Sequence, residues 1–211
     1  MRLRAQLEIP NIISLAGIGE PVCITFENEK GTSSELLYCE IVHRARYGES
    51  FLIEKQRCSA GDHILGKTSR SPADYYLRAG RYRDMETAIR AADSLLCIEK
   101  EYRSIRIEPL SVSKNDPDVF LLFLRPESAM RILQAYAYHF GKGPDTTGIG
   151  AASICCDCTA RPLTQGLGMS FGCKGSRKHS DYADTEVPLG ISRDIIQKIE
   201  EGLEKTPDTY E

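Results

Sequence analysis

Residues 118–141 read DVFLLFLRPESAMRILQAYAYHFG, and this stretch decides the fold. From Asp118 to Leu124 the chain is almost wholly apolar over a length that suits a central strand. Arg125-Pro-Glu-Ser128 then opens the clearest helix of the chain, with Pro126 or Glu127 in its first turn. Met130, Leu133 and Ala137 fall along one face of that helix, and Gly141 ends it.

The same grammar reads outward in both directions. Pro21–Phe26 is a β-branched run and reads as a strand. Thr32 and Glu35 have capping-box spacing and predict a helix through about Tyr47, ended by Gly48, with Leu37, Ile41 and Ala45 on its buried face. Ser50–Glu54 reads as a strand leading into a loop at Cys58-Ser-Ala-Gly-Asp62. A helix is predicted over 84–97 with Asp84 as its cap, a strand at Ser104–Ile107, and a last helix capped by Ser192 that gathers Ile195, Ile196, Ile199 and Leu203. Strands and helices mix without a βαβ rhythm. The expected class is therefore α+β, a single compact domain over residues 1–211 with mixed short strands and about four to five helices.

Composition narrows the function. The chain has 211 residues, a net charge of −3 and a sequence pI near 5.9, which leaves no broad basic surface for nucleic acid. No segment approaches the roughly 18 apolar residues of a membrane span. The N-terminal apolar run is broken by Glu8 and Pro10, unlike a secretory leader. A cytoplasmic setting is expected, and in a reducing cytosol eight cysteines imply metal ligands, reactive thiols or buried hydrophobes rather than disulfides. The histidines, His43, His63, His139 and His179, are scattered and show no zinc-hydrolase spacing. GIGAAS (148–153) lacks the preceding strand and acidic partner of a dinucleotide site, and GIGEPV (17–22) runs straight into proline and a strand.

The cysteines sort by position. Cys23 sits in a strand and Cys97 at a helix end, both as small hydrophobes. Cys39 stands 19 residues before Cys58, and Cys155 stands 18 before Cys173, with glycine soon after each second member. The pattern suits two similar halves, about 20–70 and 117–180, each giving one thiol from a helix and one from a glycine-containing loop. Four thiolates hold structural zinc or an iron–sulfur cluster. Zinc takes ligands from close knuckles, and Cys156-x-Cys158 fits one poorly; a cluster's irons are separate, so ligands from distant loops can each reach a different corner. In Gly172-Cys-Lys-Gly-Ser-Arg177, Lys174 and Arg177 bring positive charge beside a thiol, and Gly175 lets backbone approach. The same loop could instead take a small anionic ligand.

The chain resembles domain-of-unknown-function family 169, found mostly in anaerobic archaea and bacteria. The resemblance rests on Pro21-Val22, on Leu37-Tyr38-Cys39 with Ala45 and Gly48-Glu49, on Cys58-x-x-Gly61 with Leu65-Gly66, and on Pro109-Leu110. It continues through Pro117-Asp118-Val119, Ala129-Met130-Arg131, a cysteine ahead of Pro162, and Gly172-Cys-Lys-Gly-Ser-Arg177. Arg125 departs from the pattern, standing where the family carries a small residue before proline. Carried over onto this chain, the family's cysteine positions fall on Cys39, Cys58, Cys155 and Cys173, with Cys156 or Cys158 as substitutes for Cys155.

Together these readings predict a [4Fe–4S]-type cluster on Cys39, Cys58, Cys155 and Cys173, with Lys174, Gly175 and Arg177 beside it and a redox protein as partner. The alternatives are a zinc-bound or metal-free module that takes a small anion at the GCKGSR loop, and a thiol enzyme that uses Cys173.

Overall fold

The computed structural model describes residues 8–114, 116–145 and 148–206. Arg2 and Arg4 of the N-terminal run, and Thr146 and Thr147 of the loop before the cysteine cluster, lie outside the described residues. In chain order the elements are α1 (Pro10–Leu15), β1 (Val22–Glu27), β2 (Thr32–Ser33), α2 (Tyr38–Ala45), β3 (Phe51–Lys55), α3 (Ser59–Ile64), α4 (Ala73–Arg78) and α5 (Met85–Asp93). Then come β4 (Ser104–Pro109), β5 (Val119–Leu124), α6 (Pro126–Phe140), a π-helix (Ser153–Ala160), α7 (Arg161–Gln165), β6 (Leu167–Met169), α8 (Lys174–His179), β7 (Val187–Ser192) and α9 (Arg193–Lys205). The class is α+β, as expected, but the described residues hold nine α-helices rather than four or five. The four of eight residues or more, α2, α5, α6 and α9, are those that periodicity locates; the rest are too short to show a period.

Seven strands form one sheet in the order β2-β3-β4-β1-β5-β7-β6, antiparallel except for the short β2–β3 pair. The central position of β5 follows from its sequence: all six residues are buried, so both faces must be covered. Val119, Leu121 and Phe123 enter one core with α2, α3 and the π-helix. Phe120, Leu122 and Leu124 enter a second core under α1, α6 and α9.

Apart from β2, the sheet order repeats about the antiparallel β1–β5 pair: β1-β4-β3 on one side, β5-β7-β6 on the other. In each half the chain runs from the centre strand to the edge strand, then through a short helix capped by a cysteine, and later back to the middle strand. In this sheet order each half closes on its middle strand, β4 or β7.

Three local readings are corrected. Thr32 and Ser33 do not open a helix, because their backbone pairs with Ile53 and Lys55 of β3. The helix begins at Tyr38, where Glu40 instead of Glu35 reaches back to accept the Leu37 N–H at 2.7 Å. The Cys58–Asp62 stretch is the start of α3 and not a loop. The buried stripe of α6 is Ala129, Ile132, Ala135 and Tyr136, whereas Met130 is 43% exposed and Ala137 also faces outward. Arg131 joins the buried side because its guanidinium donates to the Leu203 and Thr206 carbonyls at the end of α9.

Candidate functional site

A cavity of about 240 Å³ opens on the face of the sheet that carries α2, α3 and the π-helix, and its lining includes Cys39, Cys58, Cys155 and Cys173. Each half of the sheet supplies two of them. Cys39 and Cys155 come from the helix between centre and edge strand, and Cys58 and Cys173 from the cap of the short helix that follows. All eight cysteines are free thiols.

The two capping cysteines share one geometry. The Cys58 sulfur accepts the Gly61 N–H at 3.3 Å, and the Cys173 sulfur accepts the Ser176 N–H at 3.3 Å. Each sulfur takes the place that a Ser or Asp oxygen usually fills at a helix start. Around Cys58, the side-chain Oε1 of buried Gln56 accepts from Cys58 N at 2.6 Å and Tyr38 N at 3.2 Å, which joins the start of α2 to the cap of α3. Around Cys173, its own N–H donates to Ser153 and Ser176 Oγ, and the Ser176 hydroxyl also meets Ser153 Oγ at 2.9 Å and Tyr182 OH at 3.0 Å. Gly172, before this thiol, has φ +92°, and a Cβ there would lie 2.1 Å from the Tyr182 hydroxyl, so only glycine fits.

Cys155 lies on the π-helix, which begins after Ala152 in the left-handed region (φ 53°). Its thiol donates to the Ala152 carbonyl at 3.5 Å. Cys155-x-x-Cys158 has the nominal spacing of a zinc knuckle, but here only Cys155 faces the cavity. The Cys158 thiol donates to the Pro188 carbonyl of β7 at 3.3 Å, and Cys156 is fully buried beside Leu96 and Cys97. The Tyr38 hydroxyl, 3.1 Å from Thr159 Oγ1, ties α2 to the π-helix.

The four thiols differ in acidity. Burial pushes Cys39 up to about 12, and it raises Cys58 and Cys155, where nearby thiols add to the effect. At Cys173 burial is the largest single contribution and acts upward, but the hydrogen bonds of Ser176 and Ser153 together outweigh it, so this thiol is lowered. Among the described residues no three His, Cys, Asp or Glu side chains are grouped tightly enough to hold a metal ion.

Of the three residues predicted to contact a ligand, only Gly175 lines the cavity. Lys174 is exposed. Arg177 is spent on the scaffold: it donates to the carbonyls of Phe171, Ala183 and Glu186 and stacks 4.4 Å from the Tyr182 ring centre. Arg57, Tyr76, Arg81 and His179 line the cavity instead. Arg57 adjoins Cys58 in sequence, but Tyr76 and Arg81 belong to the 67–83 segment, whose only signal is five cations against the single acid Asp74.

The fold and site define a class: an α+β protein whose twofold-repeated sheet brings four free cysteines to one cavity. The model of the family DUF169, described as "Uncharacterised ArCR", matches residues 15–202, and the chain belongs to this family. A relative is the uncharacterized protein MJ0308 of Methanocaldococcus jannaschii, 27% identical over 187 residues that cover 84% of this chain and 80% of the relative. No solved structure matches the chain significantly. No helix among the described residues is long and apolar enough to cross a membrane.

Proposed function

We propose that the protein binds a [4Fe–4S]-type cluster through Cys39, Cys58, Cys155 and Cys173 and serves in electron transfer. The carrying observation is that four free thiols, one from each of four elements, line a single cavity. The donor set fits: thiolate is the usual ligand of such clusters, and amide N–H groups directed at sulfur, as at Cys58 and Cys173, stabilise sulfur-borne negative charge. Thiols that arrive singly from four elements suit a polynuclear centre, whose ligands bind separate irons, better than a single zinc ion with Zn–S near 2.3 Å. When bound, such a cluster supplies one-electron transfer. Cys158 and Cys156 serve packing in this reading, and Arg177 holds the loop that presents Cys173.

Purification under strict exclusion of oxygen, with iron, sulfide and zinc analysis and a visible spectrum, tests the proposal. Near-stoichiometric cluster is expected, lost in Cys155→Ser and kept in Cys156→Ser and Cys158→Ser. Protein with neither iron nor sulfide, or a cluster that survives replacement of any two of the four lining cysteines, sinks it.

The lowered Cys173 thiol favours a second reading, a thiol-dependent enzyme in which Cys173 is the nucleophile. There, alkylation by iodoacetamide at neutral pH would single out Cys173 and leave metal content unchanged.

A further inference from the structure

Among the described residues, two polar atoms in the cavity wall have no hydrogen-bond partner. One is the hydroxyl of Tyr76, which is fully buried in the main core and lines the cavity. Burying an unpaired hydroxyl costs about 1–3 kcal/mol, a cost that phenylalanine at the same position would avoid. Arg81 lines the same cavity, and its buried Nε is also unpartnered. Its guanidinium lies 5.1 Å from the Tyr75 ring centre and 5.3 Å from that of Tyr76, and donates to the Tyr75 hydroxyl at 3.2 Å. The fork is thus held in place by aromatic rings and not by a carboxylate.

The cavity lining has one sign. Arg57 also lines the cavity, no Asp or Glu does so among the described residues, and neither Arg57 nor Arg81 forms an ion pair among them. The arm that brings Tyr76 and Arg81, α4 and the turn after it, packs through Ala73 and Leu77 on Ala88 and Ala92 of α5 in a small separate cluster. A second basin, lined by Arg70 and Arg78 and also by Asp62 and Asp74, adjoins the cavity and shares Ser59 and Tyr75 with it, so the excess of positive charge belongs to the cavity itself. In a chain with net charge −3, a cavity lined by Arg57 and Arg81 and by no carboxylate among the described residues attracts anions.

We propose that Arg81 and Tyr76 form an anion seat beside the four thiols, so that the site takes a small acidic molecule bearing a carboxylate or phosphate. The guanidinium Nε–H and the phenol O–H are two unpartnered donors in the wall of one cavity, and guanidinium N–H groups are well matched to carboxylate and phosphate oxygens. The assignment rests on the same reading of this cavity as the functional site, and names the class of substrate that meets the thiols there.

The test is calorimetric titration of the anaerobically purified protein with oxalate and with inorganic phosphate, with iron, sulfide and visible spectrum measured on the same samples. One equivalent of either probe is expected to bind; Arg81→Gln should weaken it about tenfold and Tyr76→Phe several-fold, with metal content unchanged. Tyr76→Phe removes only an unpartnered hydroxyl, so it folds and its melting temperature rises. The proposal is overturned if neither probe binds the wild type, or if both variants bind as the wild type does. It is overturned equally if Tyr76→Phe alters only the spectrum of the cluster, since the phenol would then serve a sulfur. Arg81-dependent binding to protein that contains no iron supports the seat while removing the cluster.

Discussion

Gly168 of β6 and Gly190 of β7 stand directly opposite one another, and the π-helix that carries Cys155 rests on both. A Cβ on Gly168 would lie 1.9 Å from the Asp157 carbonyl oxygen, and one on Gly190 would lie 2.0 Å from that of Cys158. Neither glycine has a positive φ, so the requirement is close backbone approach and not conformational freedom. This paired absence of side chains sets the depth at which Cys155 enters the cavity.

Gly168→Ala and Gly190→Ala should each push the π-helix off the sheet. Overpacking of a filled core costs about 1–3 kcal/mol and occasionally more; these contacts fall at the upper end because the obstacle is backbone. Denaturant unfolding measures the loss, and iron content should fall with it. Gly143→Ala is the control, since nothing lies within 4 Å of a Cβ there and its φ is not positive. Equal midpoints for Gly190→Ala and Gly143→Ala would contradict the packing argument.

The strand and helix of 118–141 were legible because an apolar run and a Pro-to-Gly frame are local properties of the chain. The face of α6 was not, because Met130 is apolar yet exposed while Arg131 is charged yet buried, and only the carbonyls at the end of α9 explain the exchange. Thr32 misled in the same way: its side chain suits a helix cap, but pairing with β3, some 20 residues on, makes its backbone the edge strand β2. The four cavity cysteines stood out through spacing and family resemblance, whereas Tyr76 and Arg81 lie in a segment with no regular pattern, and their meaning appears only where the chain folds against the thiols.

Arg46 and Glu186 form a buried ion pair that couples the end of α2, the helix that carries Cys39, to the loop after α8, the helix that Cys173 caps at its other end. Arg46 also donates to the Ile18 carbonyl and stacks 4.6 Å from the Phe123 ring centre. Arg46→Met or Glu186→Gln strands the other charge, which typically costs about 3–5 kcal/mol, and an apolar double replacement should recover most of it. At Glu186 burial acts upward but the guanidinium and the Ala183 N–H outweigh it, so the carboxyl is held below its usual 4.5. Its stabilising contribution is therefore present above pH 4.5 and lost as pH falls through the lowered value. Thermal unfolding of wild type and the double variant should converge in acid; parallel curves would place the pair's contribution elsewhere.

Asp157, on the π-helix, shows the opposite sign. Burial raises it from 3.8 to about 6, with Arg161 at 3.7 Å offsetting only part of the cost. A raised value means that its contribution is full below pH 3.8 and disappears as pH rises through about 6. Asp157→Asn should therefore gain on the wild type between pH 4 and pH 7 by something on the order of 3 kcal/mol. Urea midpoints of both proteins across that range measure the difference; a constant offset would mean that Asp157 does not titrate there.

Loading of the four-cysteine site should release protons. Cys39, held at about 12, and Cys58 and Cys155, both raised, are protonated in the metal-free fold at pH 8, whereas ligands must be thiolates. Assembly with iron and sulfide should therefore become more favourable as pH rises toward 9, and a weakly buffered reaction should acidify by about three protons per site from these thiols beyond the chemistry of iron and sulfide alone. The Cys39→Ser variant isolates one of them: its release should drop by about one proton per chain if Cys39 is a ligand. Release that is unchanged in Cys39→Ser would remove Cys39 from the ligand set and leave the cavity with three thiols to account for.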